Sequence, residues 1–486
     1  MSSSEQNAET LDLPIAVVGG GIAGLTAAFR LRQAGRSVRL LEASSRLGGT
    51  IASQRQDGFL FEHGPTTVPS SAPSLARLID DSGLRPRAQL SRKIAGRRLV
   101  WRGGRLHALP EKPPQLLTCT ALGAFAKVRL LAEPWIPKRK PGGPPETLLE
   151  FGRRRLGKGA VRAFLDPFVT GVHAGRLDEL GVDALPRLLD LEADHGSLFR
   201  GLIAQRKVAR SAAEARGEEP PSGPPPLVSF PDGLETLPAH LAEFLADSVL
   251  PGREVKRLEI LERGRYRLRT AEGDSLLASG VILTTPSEIT AGLLPSGIET
   301  DFLTELPHPF VATVGLGYAR QQLIHPLDAF GMLVAGDSRY SEADVLGILF
   351  SSSIFEGRAP EGSACMTVMI GGSRDPEAAA LDDAQLIRRA RDAAARFLGA
   401  SGEPRAVTVA RWPRAIPQLV PGHRERVRAL RRQLAQVGGG GLAVAGNYLD
   451  GVGVEAAVAS ADRAAADVLD IAAVAGVAHE GSPALG

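Results

Sequence analysis

Cysteine is nearly absent: Cys119 and Cys365 are the only two in 486 residues. That excludes a disulfide scaffold, and neither cysteine has neighbours at metal-ligand spacing. Such sparse usage suits a reduced, cytoplasmic protein. Aromatics are scarce at 5%, with 3 Trp and 4 Tyr, which argues against basic and aromatic residues interleaved to grip nucleic acid. No apolar run reaches the roughly 18 residues of a membrane-spanning helix, so any membrane association is expected to be peripheral. The first ten residues, MSSSEQNAET, lack the basic start and apolar centre of a secretion signal and read as a disordered tail. Net charge is only +3, a slight excess rather than a polycation.

What the chain does have is an ordinary globular mix, 43% hydrophobic and 23% charged, with ample apolar surface for a core. At about 150 residues per domain, roughly three structural units are expected. The clearest local pattern opens at residues 13–18, a short apolar run expected to be a strand buried on both faces. Gly19-Gly20-Gly21-Ile22-Ala23-Gly24 follows at once. A helical pattern then runs from Ile22 to Ala34, stopped by Gly35, and a second strand, Val38 to Leu41, ends in Glu42. Gly19 permits the tight turn, Gly21 lets backbone approach a pyrophosphate, and Gly24 allows close packing of helix on strand. The helix start offers free N–H groups and the positive end of its dipole to phosphate. Glu42, 18 residues beyond Gly24, can accept hydrogen bonds from both ribose hydroxyls, and its charge repels a 2′-phosphate. Strand, glycine turn, helix, strand and acid together predict dinucleotide binding. A bare glycine turn between two core strands is the competing reading.

Arg46-Leu47-Gly48-Gly49 comes directly after, and Phe61-Glu-His-Gly64-Pro65-Thr66-Thr67 a little further on. This ExxxRxGG continuation resembles the FAD enzymes of the flavin amine oxidase superfamily, which implies FAD as cofactor. On that resemblance Arg46 neutralises pyrophosphate charge, while Gly48, Gly49 and Gly64 let backbone approach the flavin. Ala43, Pro65, Thr66 and Thr67 join the implied cofactor set. A plain surface arginine is the alternative for Arg46.

Beyond this unit, nine basic residues between Arg85 and Lys112 face one acid, Glu111. They read as a solvated face, as the anion-binding wall of a cavity, or as a patch for anionic lipid. From Gln115 to Lys140 apolar clusters alternate with basic residues, a pattern shared by an interfacial helix and a core-facing one. Residues 207–226 are charged and then proline-rich, and read as a linker. Strand patterns follow at Glu254–Ile260, Tyr266–Thr270 and Gly280–Thr284. Val407–Pro413 is another strand. Leu442–Asn447 then leads into Gly451-Val452-Gly453-Val454 and a helix from Glu455. A second helix N-terminus aimed at a flavin would stabilise the charge that reduction places around N1 and O2.

Several further stretches resemble the protoporphyrinogen oxidase family over most of the chain. They are Gly104-Arg-Leu-His-Ala-Leu-Pro110, the segment from Asp166 to Gly175, Arg187 to Gly196, Leu346 to Ser352 with Arg358 to Gly362, and Gly446 to Val454. The resemblance implies an α/β fold with a Rossmann-like FAD-binding domain of the p-hydroxybenzoate hydroxylase type, an α+β substrate domain and a helical membrane-associating unit. The expected boundaries are 1–85, 227–289 and 407–474 for the FAD domain, and 86–110 with 290–406 for the substrate domain. The helical unit takes 111–206, the linker 207–226 and the tail 475–486. The implied reaction is oxidation of protoporphyrinogen IX to protoporphyrin IX by hydride transfer to flavin N5. Molecular oxygen reoxidises the flavin and gives H2O2. In this reading Arg98 pairs with a propionate, Phe350 stacks on a pyrrole, Leu333 supplies apolar packing, and the backbone at Gly175 passes close to the macrocycle. Trp412 is implied near the isoalloxazine and Val255 at the adenine, with Gly446, Val452, Gly453 and Val454 also on the flavin. His173 departs from the tyrosine more usual in the family.

The residues agree independently: a broad apolar disc carrying carboxylates needs apolar walls and a guanidinium or two. No metal and no side-chain acid–base dyad is expected, and His173 and His195 read as structural or surface histidines. Expected partners are the porphyrinogen, O2 and a membrane surface on its cytoplasmic face, with the next haem-pathway enzyme and a homodimer as further candidates and no nucleic acid. The nearest rival substrate is coproporphyrinogen III, whose four propionates would suit the basic 85–112 segment. More distant enzyme readings are amine oxidation and carotenoid desaturation on the same scaffold, of which amine oxidation favours an aromatic cage that the 4 tyrosines fit poorly, and a non-catalytic tetrapyrrole carrier with a structural flavin is the rival of a different class.

Overall fold

The computed structural model describes residues 13–110, 115–139, 142–215, 217, 225–335 and 345–480. The expected N-terminal tail lies outside them. Ile15–Val18 (β1) is buried at all of its positions because a strand pairs along each edge and helices cover both faces. It lies at the centre of a five-stranded parallel sheet, between Val38–Glu42 (β2) and Gly280–Leu283, with Val249–Pro251 and Leu442–Val444 at the edges. Alternation along the strands divides the core. Ala16, Val18 and Leu41 face one cluster, while Ile15, Val17 and Leu40 face the other. Ile22–Gln33 (α1) connects β1 to β2 and is buried from Ala23 to Phe29. Its small residues let it pack closely on the sheet and against the final helix, Val454–Glu480, which itself lies on the Gly280–Leu283 and Leu442–Val444 strands and runs past the expected domain end at 474.

A second sheet has seven strands, in the order Ala406–Trp412, Val311–Ala319, Ser363–Gly371, Gly347–Leu349, Gly331–Val334, Leu99–Arg102 and Arg105–Ala108. Its pairings are antiparallel except that between Gly331–Val334 and Leu99–Arg102. Ala312, Val314, Val368, Met332 and Ile348 point to one face, which packs with Ala390 and Phe397 of the helix Asp383–Leu398. Gly315 and Gly317 lie on the other face, where Phe61 and Phe59 press so closely that an added Cβ would stand 2.4 and 2.7 Å from their rings. These contacts join the N-terminal unit to the second sheet. Because Ala406–Trp412 pairs along Val311–Ala319, it belongs to this sheet, and the boundary expected at 407 is displaced to the far end of that strand.

The third unit is helical, with Ala124–Leu131, Leu148–Arg155, Asp166–His173, Pro186–His195 and Leu198–Ala215. Arg155 and Glu133, both fully buried, pair within it. Glu133 also accepts from Ser197 Oγ at 2.5 Å and from the Leu198 N–H at 2.9 Å. The stretch expected to be amphipathic from Gln115 onward is broken into Gln115–Thr118, Ala124–Leu131 and a turn at Glu133–Trp135 that holds Pro134, while Lys140 lies outside the described residues. The expected linker is corrected in part: its first nine residues, 207–215, continue the helix from Leu198, and most of the remainder lies outside the described residues. Among the described residues no helix is long and apolar enough to cross a membrane.

Candidate functional site

The turn from β1 into α1 has the geometry its glycines predict. Gly19 has a φ of +111°, and Thr284 Oγ1 donates toward the carbonyls of Val18 and Gly19 at 2.9 and 3.0 Å. A Cβ on Gly24 would lie 1.8 Å from the Gly19 carbonyl oxygen, so helix and turn touch backbone to backbone. Gly21 is the exception. A Cβ there meets nothing nearer than Gly49 Cα at 4.0 Å, leaving that side of the turn bare. The first-turn N–H groups of α1 have no intrahelical acceptors. Bare backbone, free N–H donors and a positive dipole end form a cradle that fits a pyrophosphate.

Glu42 stands beside it. Its two carboxylate oxygens accept from the Gly20 N–H at 2.6 Å and the Ser44 N–H at 2.8 Å, and these contacts fix the acid at the end of β2. The segment containing Val255 reaches the same corner, since Pro251 pairs with Glu42 and the Arg253 N–H donates to the Glu42 carbonyl at 2.8 Å. Val255 itself is buried. Ala43 is exposed at the strand end.

The loop after Glu42 is laid along the glycine turn. Gly48 bridges Gly21, its N–H donates to the Gly20 carbonyl at 2.8 Å, and Gly48 and Gly49 have φ of +100° and +59°. Arg46 differs from expectation. Its guanidinium donates to the carbonyls of Leu47, Gly49 and Ile51 and approaches Glu235. It holds the loop in shape, and its donors are spent on backbone rather than extended toward phosphate. Gly64 approaches Thr50 so closely that a Cβ would stand 2.0 Å from its carbonyl oxygen, and Thr66 is buried beyond it, between half-buried Pro65 and Thr67.

Trp412 is tied to this segment. Its indole Nε1–H donates to the His63 carbonyl at 2.8 Å, and Thr313 Oγ1 donates to the same oxygen at 2.7 Å. His63 was not singled out by the sequence. It has a buried Nε2 without a partner among the described residues, and burial lowers its pKa. From the C-terminal side, Gly446 sits against the Tyr448 ring and donates its N–H to Ser460 Oγ at 2.9 Å. Val452 is half-buried, and Gly453 is exposed, with nothing within 4 Å of an added Cβ, where the final helix begins at Val454. Glu455 turns away to accept from the N–H groups of Ser74 and Leu75.

The expected substrate residues divide. Leu333 lies on the face of the second sheet opposite the helix Asp383–Leu398 and packs on Gly171, whose added Cβ would meet Leu333 Cδ2 at 2.2 Å. Arg98 stands beside the start of the neighbouring strand, its guanidinium over the Phe330 ring at 5.4 Å. Gly175 is buried beneath Gln418, whose Oε1 lies 2.1 Å from an added Cβ. Gln418 Nε2 donates to the carbonyls of His173 and Ile416, so Gln418 positions this turn, a role that no local pattern signals. Phe350 is a correction. It is fully buried among Met332, Ile348 and Leu386, beside His325. The strand's alternation sends it to the covered face, so it presents no surface for stacking.

His173 is buried, its Nδ1 has no partner among the described residues, and burial pushes its pKa down to about 4. It is therefore neutral at ordinary pH. His195 ends its helix, exposed. Among the described residues no group of three or more His, Cys, Asp or Glu could hold a metal ion.

The family model for flavin-containing amine oxidoreductases matches residues 22–469. Protoporphyrinogen oxidase 1 of Arabidopsis thaliana chloroplasts is 30% identical over 94% of this chain and 88% of its own length. Coproporphyrinogen III oxidase of Propionibacterium freudenreichii subsp. freudenreichii is 32% identical over 94% of this chain and 91% of its own. Among solved structures, a protein of Exiguobacterium sp. 255-15 provisionally assigned as a protoporphyrinogen oxidase superposes with a TM-score of 0.76 at 26% identity, covering 98% of this chain and 99% of its own.

Proposed function

The chain belongs to the flavin-containing amine oxidoreductases, with their FAD-binding α/β fold and FAD as cofactor, and from that premise we propose that it oxidises protoporphyrinogen IX to protoporphyrin IX in haem synthesis. The observation that carries this reading is the similarity, along nearly the whole chain, to enzymes named for porphyrinogen oxidation. When bound, FAD supplies hydride acceptance at N5 and reoxidation by O2 to H2O2. The polypeptide does the rest. The turn at Gly21 and the start of α1 take the pyrophosphate, Glu42 the ribose, and Val255 the adenine side. Trp412, held on the His63 carbonyl, braces the segment from Gly64 to Thr67 against the isoalloxazine. Leu333 and the backbone around Gly175 form apolar wall, and Arg98 meets a propionate. The oxidation takes three two-electron steps, in each of which a hydride would pass to the flavin and a proton would leave to water; the pyrrole nitrogens assist loss of the hydride, so no side-chain base is required.

In the same proposal the nucleotide unit has the p-hydroxybenzoate hydroxylase topology, and the helical unit touches the cytoplasmic face of a membrane. Phe125 at 87% and Trp135 at 76% exposure support that contact. A homodimer and the next pathway enzyme are its further partners. Coproporphyrinogen III is the second reading, favoured by the P. freudenreichii relative and by the basic 85–112 segment. Anaerobic mixing with either porphyrinogen should bleach the flavin absorbance, and turnover on the two, followed by oxygen consumption, ranks them. A flavin that neither substrate bleaches overturns the proposal.

A further inference from the structure

A cleft of about 240 Å³ opens on the helical unit. Four cations line it, Arg153, Lys158, Arg162 and Arg374, with a single acid, Asp166. Arg374 is paired with Asp166, whereas Arg153, Lys158 and Arg162 have no acidic partner among the described residues. Leu149, Val161 and the buried Leu177 add apolar lining. Three unneutralised cations set in a concave wall repel one another and favour a multiply accepting anion. The apolar part of the lining favours one that carries methylene groups.

The surroundings narrow the choice. Gly157 and Gly159, on either side of Lys158, pack against Arg129 and Ala126 of the helix Ala124–Leu131. That helix exposes Phe125 and Val128, and the helix bearing Asp166 exposes Phe168 and Val172. Arg153, Lys158 and Arg162 come from Leu148–Arg155 and the segment 158–165, and the exposed apolar side chains stand on the two helices that flank that segment, one packed on it and one continuing it, the combination an interface between anionic headgroups and acyl chains demands. We propose that this cleft binds the phosphate headgroup of an anionic phospholipid, with the neighbouring apolar side chains among its acyl chains. The inference rests on the reading that the helical unit meets a membrane.

Co-sedimentation of the holoenzyme tests it, with vesicles of phosphatidylcholine alone and of phosphatidylcholine mixed equally with phosphatidylglycerol. At about fivefold per cation, the three free charges should favour the anionic vesicles by about a hundredfold. The triple variant Arg153→Gln/Lys158→Gln/Arg162→Gln should lose that preference while keeping its flavin content. Arg388→Gln/Arg428→Gln/Arg432→Gln, an equal loss of charge on other helices, should keep it. Equal affinity of the wild type for both vesicles, or an unaffected first triple variant, overturns the headgroup site but leaves the membrane reading standing. Binding to neither vesicle overturns both. Inorganic phosphate separates the sources. If the first triple variant loses a phosphate-dependent rise in melting temperature yet binds vesicles as the wild type does, the site takes free phosphate and the lipid assignment is wrong.

Discussion

Replacing Gly21 by valine separates the cofactor from the fold. A Cβ at this position has no neighbour closer than 4.0 Å, and the residue's φ of −73° and ψ of 178° are extended values open to any side chain. The polypeptide should therefore accept valine with a stability change of about 0.5 kcal/mol or less. Its methyl groups instead fill the bare side of the turn, where the pyrophosphate must approach. Gly24→Ala is the contrast. There a Cβ stands 1.8 Å from the Gly19 carbonyl oxygen, so α1 must shift by more than an ångström, an overpacking of about 1–3 kcal/mol or more. FAD at about a hundred times its Kd adds about 2.7 kcal/mol to the wild type. Flavin absorbance of the purified proteins, with thermal melts of each apoprotein with and without FAD, reads both effects. Gly21→Val should be colourless, melt like wild-type apoprotein and gain nothing from FAD, whereas Gly24→Ala should melt low even without it. A yellow, fully occupied Gly21→Val, or an apoprotein that melts as low as Gly24→Ala, refutes the pyrophosphate assignment.

Arg98→Ala should raise KM about tenfold or more with a smaller fall in kcat, because a charged contact of about 1.5–3 kcal/mol shared by ground and transition states is lost; steady-state kinetics with an unchanged KM would exclude this role. His173 has a pKa of about 4 in the fold against an ordinary 6.5, so the unfolded chain takes up a proton there first. Stability should then be level above about pH 6.5 and fall by about 3 kcal/mol as pH drops to about 4. Urea unfolding of His173→Phe should show a correspondingly flatter acid limb, and an identical pH dependence would count against the buried neutral imidazole. Arg155→Met leaves Glu133 fully buried without its cation, and urea unfolding should show a loss of about 3–5 kcal/mol, with a loss under 1 kcal/mol contradicting it.

The nucleotide cradle was legible because its signals are local. A tight turn, a close helix start and an acid closing the next strand are each imposed by a few consecutive residues, and β1, α1 and β2 fall where residues 13–42 predict them. The helix that begins at Val454 is legible for the same reason. Arg46 shows the limit of such reading. Its charge is evident in sequence, but which oxygens it bonds depends on how the loop to Ile51 folds back under it.

By itself, then, the sequence determined the dinucleotide-binding unit and the absence of any disulfide framework, since both follow from residue type and short-range spacing. Only tertiary structure decided which face each strand of the second sheet presents. Phe350 and Leu333 lie in paired stretches of one sheet, yet the helix Asp383–Leu398 covers one side and leaves the other toward the site. Tertiary structure also brought Trp412 to the His63 carbonyl and gathered Arg153, Lys158, Arg162 and Arg374 around one cleft. Side-chain alternation has a period of two but no intrinsic inside. What counts as inside is fixed by the element that packs on the sheet, and that element is distant in the chain.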